Sequence, residues 1–162
     1  MPELDKNQLL AALRAQISAE LARSKARALD AAEGATHEEN RAEGDKDMRS
    51  TEASYVARGH AERTQKLEQA LVQLGAMEVR EFGPRAAVAT SALLELEHQS
   101  RRLHYFLVPA AGGERLSFAG LEVHTITPTS PLGAALLGLN EGDEAEVSSP
   151  QGVRSYEVVR VR

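Results

Sequence analysis

At 162 residues, 42% hydrophobic and 27% charged, the chain has the composition of one or two small globular domains. A formal net charge of −5 argues against a surface that binds a nucleic-acid backbone by itself, because such binding needs clustered Lys and Arg. Cysteine is absent, which excludes a disulfide framework, a thiolate zinc site and a thiol nucleophile.

Aromatics make up only 4% of the chain, with no Trp, so a large aromatic core is not available. The start, MPELDKNQLL, lacks a basic segment followed by an apolar one, and no apolar run approaches the roughly 18 residues of a membrane helix. A soluble cytoplasmic protein with no membrane partner is expected.

Asp5 is placed as an N-cap with Gln8 three residues on, a variant of the capping box. Beyond it Leu10, Leu13, Ile17, Leu21, Ala28 and Ala31 recur at helical spacing. Farther on, Ala53, Ala57, His60, Thr64, Leu67, Leu71 and Leu74 alternate steps of four and three, a coiled-coil seam, and Gly75 offers a C-cap. If the two stripes fold back on each other, facing residue numbers must share a constant sum. Leu10 with Leu74, Leu13 with Leu71, Ile17 with Leu67 and Ala31 with Ala53 all sum to 84, which centres the turn near residue 42 and pairs Ser24 with His60. From Leu10 to Glu39 such an arm is roughly 45 Å long. Its seam changes from Leu and Ile at the base to Ala toward the turn.

The turn falls inside Thr36–Glu52, THEENRAEGDKDMRSTE. From Glu33 to Asp47 six acids (Glu33, Glu38, Glu39, Glu43, Asp45, Asp47) face two bases (Arg41, Lys46). A charge run of this kind is often only a solvated loop. At the end of a helical arm it is also a set of carboxylates presented to a partner.

After Gly75 the texture changes, and Gly83-Pro84 marks a boundary. Alternation from Ala86 to Leu96 and the apolar run Arg101–Val108 predict two strands joined by a hairpin loop at Glu97–Ser100. Ala110–Gly113 reads as a loop and Gly120–Ile126 as a short strand. Ser130 as N-cap and Pro131 at the first helical position open a short helix that Gly138 closes. Asn140–Asp143 turns the chain into a strand at Glu144–Ser148, and Pro150–Gly152 into a last one at Val153–Val161. The expectation is an α+β chain, with a long antiparallel coiled-coil hairpin at 1–78, its tip near 36–52, and a small antiparallel sheet with one short helix at 79–162.

The run from Ile126 to Val161 resembles the C-terminal half of the Gre family of bacterial transcript-cleavage factors. Ser130, Pro131, Leu136, Gly138, Gly142, Asp143, Val147, Pro150, Gly152, Tyr156, Glu157 and Val158 fall at matching places. THEEN at Thr36–Asn40 and EASY at Glu52–Tyr55 extend the resemblance to small single-chain members. The resemblance implies an FKBP-like C-terminal domain docked at the rim of RNA polymerase, with the coiled coil threaded down the secondary channel. Nucleic acid is then reached only through the polymerase, and a monomer is expected. Ser130, Pro131, Gly133 and Tyr55 become candidate partner contacts. The tip carboxylates Glu38, Glu39, Glu43, Asp45, Asp47 and Glu52 become candidates for assisting RNA cleavage. Glu39, Asp45 and Asp47 are candidates for helping to hold a Mg²⁺ shared with the polymerase active site, no cofactor being tightly bound to the chain itself. On this reading the chain is an accessory factor, not an enzyme.

One departure divides the functional readings. Cleavage-active members carry Asp and Glu seven and four residues before the tip Tyr, and here those positions are Met48 and Thr51. Acids stand one residue away, at Asp47 and Glu52. Either a different pair stimulates cleavage, or the arm occupies the channel without cleaving. A third reading, an FKBP-like isomerase or chaperone, needs convergent aromatics, for which Tyr105, Phe106, Phe118 and Tyr156 are the candidates. No Gly-rich phosphate loop, nucleophile elbow or His/carboxylate metal spacing is present.

Overall fold

The computed structural model describes residues 3–39 and 46–162, with the side chains of 35–39, 46–50 and 53 outside the described set. The chain forms two compact units, one of residues 15–71 and one of residues 1–14 with 72–162. Two long helices, α1 (Lys6–Glu39) and α2 (Lys46–Ala76), supply all of the first unit and two short pieces of the second.

Asp5 caps α1, its Oδ1 accepting from the amides of Asn7 at 2.8 Å and Gln8 at 3.4 Å. In the helical unit, six residues separate Glu39 from Lys46. A parallel return would have to reach back roughly 36 Å along α1 from residue 39 to residue 15, farther than the roughly 25 Å that six residues span, so the helices run antiparallel. The predicted stripe is the inward one: Ile17 is buried, while Leu21, Ala28, Ala31, Ala57, Thr64, Leu67 and Leu71 are half-buried. Across the two helices Ser24 hydrogen-bonds Thr64 (2.9 Å), one turn along α2 from the His60 that sequence spacing sets opposite it, and Glu20 pairs with Arg63. Gly75 lies inside α2, which ends one residue later, so it is not the C-cap.

In the other unit six strands form one sheet in the order β3-β4-β2-β1-β6-β5. They are β1 (Leu93–His98), β2 (Arg101–Leu107), β3 (Arg115–Phe118), β4 (Leu121–Ile126), β5 (Glu144–Ser149) and β6 (Gly152–Val161). The expected antiparallel pairing holds in four neighbour pairs, and β2–β4 is parallel. β3, which sequence reading left unassigned, hairpins onto β4 through Ala119-Gly120, both at positive φ.

The predicted strand at Ala86–Leu96 is interrupted. Val88 exchanges hydrogen bonds with the end of the short helix α3 (Pro131–Leu136), its amide donating to Leu139 O and its carbonyl accepting from Gly138 N. Ser91 sits at φ 76°, breaking the ladder, and β1 begins only at Leu93. The core packs α3 on one face of the sheet, with Leu94, Leu96, Leu107, Leu136, Tyr156, Val158 and Val161 buried together. Val158 and Val161 are three residues apart yet both point into this core, because the β1–β6 register shifts between Glu95 and Leu96. Strand alternation sends Leu93, Phe106 and Val123 to the other face, where they too are buried. Lys6, 7% exposed, ties the start of α1 to the segment before β1: its ammonium bonds the Arg80 carbonyl and lies 4.8 Å from the Phe82 ring centroid. Burial holds its pKa below the ordinary 10.5.

Candidate functional site

The candidate carboxylates lie at the ends of α1 and α2 and between them. Glu38 and Glu39 close α1, and Asp47 belongs to the first turn of α2, but their side chains lie outside the described residues. Glu43 and Asp45 lie outside altogether. Of the candidates, Glu52 is described with its side chain, and it is exposed. Tyr55 stands three residues on from it, 66% exposed, with the Arg58 guanidinium 5.9 Å from its ring centroid. An exposed tyrosine this close to a turn of acids is available for contact rather than used in packing.

Helix geometry constrains how these acids can work together. Positions 47 and 52 both lie on α2, five residues apart, hence about 140° around the axis and about 7.5 Å along it. The two positions do not share a face of the helix. Positions 48, 51 and 55 share one face of α2, and that face carries Met48, Thr51 and Tyr55. Two carboxylates taken from one helix face therefore include at least one from the 38–45 segment. Among the described residues no group of three His, Asp or Glu side chains is placed to hold a metal ion.

The second candidate set sits at α3. Ser130 caps the helix at φ −69°, ψ 152°, its hydroxyl accepting from Gly133 N at 3.1 Å and donating to Thr127 O at 2.8 Å. Gly133 is buried, and a Cβ there would overlap the Thr127 carbonyl. Both residues therefore hold α3 against the Thr127 turn, whereas Pro131 is exposed. Sequence reading finds Ser130 and Pro131 from the capping pattern and has Gly133 only as a candidate partner contact; it misses why position 133 is glycine, because the close approach is between segments.

The aromatic candidates do not converge. Tyr105 and Tyr156 lie on the α3 side of the sheet, Phe106 is fully buried on the other side, and Phe118 is on the edge strand β3. Burial, with Tyr156 nearby, raises the Tyr105 phenol above its usual 10.0. Two histidines join this side: His98 stacks on Tyr156 at 4.7 Å, and His124 lies 5.7 Å from Tyr105. Sequence reading found no common spacing for them because strand pairing, not spacing, brings them to the tyrosines.

Comparisons with known proteins agree on one family. The family described as "Transcription elongation factor, GreA/GreB, C-term" matches residues 89–162. Transcription elongation factor GreA of Methylococcus capsulatus is 32% identical over 133 residues, which cover 76% of this chain and 77% of that protein. GreA of Hyphomonas neptunium is 58% identical over 36 residues, spanning 22% of this chain and 23% of its own length. Among solved structures, GreA factor homolog 1 of Thermus thermophilus is similar at 21% identity over 93% of this chain and 95% of that one, with a TM-score of 0.37.

Proposed function

Because the chain belongs to the GreA/GreB family of transcription elongation factors, we propose that it binds RNA polymerase and brings the carboxylates of Thr36–Glu52 to the polymerase active centre to stimulate cleavage of backtracked RNA. The observation that carries this reading is that the acidic stretch spans the end of α1, the link between the two long antiparallel helices and the start of α2. Net charge supports a protein partner, since a chain at −5 has no electrostatic footprint for nucleic acid of its own.

The donor chemistry suits the proposed task. Mg²⁺ is a hard cation that takes one or two carboxylates and keeps its remaining positions for water and phosphate. A second Mg²⁺ in such a site activates water and stabilises the oxygens of the displacement. This chain contributes oxygen donors and negative charge, held on helices that limit which pairs can act. Positions 47 and 52 do not share a helix face, so at least one acid of the pair comes from 38–45.

The experiment is a polymerase pull-down followed by a cleavage assay on a backtracked elongation complex. Replacing Glu38, Glu39, Asp45 and Asp47 together by Ala is expected to abolish stimulated cleavage while retaining polymerase binding; wild-type protein that binds without stimulating cleavage overturns the reading. Met48 and Thr51 favour a second one, occupation of the channel without cleavage. In that case the wild type inhibits an active cleavage factor in competition, and the four-fold Ala variant still does so.

A further inference from the structure

We propose that a small pocket on the Leu93 face of the sheet, bounded on its other side by Leu4, binds a short-chain monocarboxylate of about four carbons. The pocket measures about 80 Å³ and lies within the unit of residues 1–14 and 72–162. Strand register brings its walls together, because antiparallel partners stand on the same face of a sheet. Glu95 has His104 opposite it on β2 and Arg160 opposite it on β6, and Leu93 exchanges both backbone hydrogen bonds with Arg162. Leu121 lies two residues before Val123, the partner of His104, and so joins the same face. Leu4, 8% exposed, meets them from the segment ahead of α1.

The lining divides into an apolar part, from Leu4, Leu93 and Leu121, and a cationic part, from Arg160 and Arg162. Among the described residues neither arginine has a carboxylate within ion-pair distance, although both also line an adjoining cleft with Glu3 and Glu81. Glu95, the acid of the pocket, is engaged by Arg102 at 3.4 Å. Guanidinium groups without a carboxylate partner, set beside an apolar wall, suit a carboxylate that carries a hydrocarbon tail. Volume sets the length of the tail. A dry cavity of about 150 Å³ takes up benzene, so about 80 Å³ takes roughly three carbons, those of butyrate beyond its carboxyl group. Such binding requires neither polymerase nor RNA.

The test follows amide resonances of the full chain while sodium acetate, propionate, butyrate or hexanoate is added at fixed ionic strength. Butyrate is expected to shift the amides of Leu4, Leu93 and Leu121 saturably, with half-saturation at about 1–10 mM for so small a ligand. Acetate and hexanoate are expected to bind more weakly than butyrate. Butyramide, which has the tail without the charge, is expected to bind about tenfold more weakly. Arg160→Gln with Arg162→Gln is expected to bring butyrate to the butyramide level and to leave butyramide as it was. Leu4→Ala removes most of one wall and is expected to move the preferred length toward hexanoate.

Length preference separates a fitted pocket from adsorption to apolar surface. Affinity that rises steadily with chain length, in wild type and Leu4→Ala alike, overturns the proposal. So do shifts no larger with butyrate than with an equal concentration of chloride, which mark a general salt effect. Should the double arginine variant fail to fold, Arg160→Gln alone, at an exposed position, is expected to weaken butyrate more than butyramide. Equal loss for the two ligands overturns it.

Discussion

Position 133 has no room for a side chain, because α3 approaches the Thr127 carbonyl more closely than a Cβ allows. Gly133→Ala forces the helix off that carbonyl and off its cap, since the amide of residue 133 is the donor to Ser130. Urea unfolding is expected to show a loss of about 2 kcal/mol or more, in the range of overpacked core substitutions. The helix start at Ser130-Pro131 was legible because a cap is a local signal. The glycine's reason was not, since it depends on where residue 127 lies. The same distinction separates Asp5, whose capping role is written within three residues, from Lys6, whose partners Arg80 and Phe82 are more than seventy residues away.

Two hairpins close through two-residue turns with both residues at positive φ: Gln99-Ser100 between β1 and β2, and Ala119-Gly120 between β3 and β4. This is the geometry that matches strand twist, and Asn-Gly suits it best. Gln99→Asn with Ser100→Gly is therefore expected to stabilise the sheet unit by roughly 0.5–1 kcal/mol, raising its thermal midpoint. Neither turn has that signature, and Phe118-Ala119-Gly120 reads as weakly strand-like, which is why β3 was not legible. The interruption before β1 was hidden for a related reason. Ala86–Leu96 alternates well enough to be one strand, but the backbone at Ser91 turns to a positive φ that no alternation pattern reports. Strand content was thus readable from alternation, while strand boundaries depended on backbone torsions. The parallel β2–β4 contact lay beyond both, because neighbouring in a sheet is a property of the whole chain.

At the scale of the molecule the two units differ in what holds them. Among the described residues of 15–71, Ile17 is the hydrophobic side chain that is fully buried, and Ser24 the buried polar one. The remaining buried hydrophobics belong to the other unit. Amide hydrogen exchange in the helical unit is accordingly expected to run faster than in β1, β2 and β6 by on the order of tenfold or more. Equal protection in both would contradict it. The acidic stretch itself was conspicuous in sequence, yet which of its acids can cooperate was not. Part of that answer needs the helix start at Lys46, which puts positions 47 and 52 on different faces of one helix.

The sheet order also bears on how the chain is made. β6 is the last strand in sequence but lies between β1 and β5, and β5 has no other neighbour in the sheet. During vectorial synthesis β1 therefore waits with one bare edge, and β5 waits without a ladder, until residues 152–161 leave the ribosomal tunnel. Until then β1 and β5 are open templates for strands of other nascent chains.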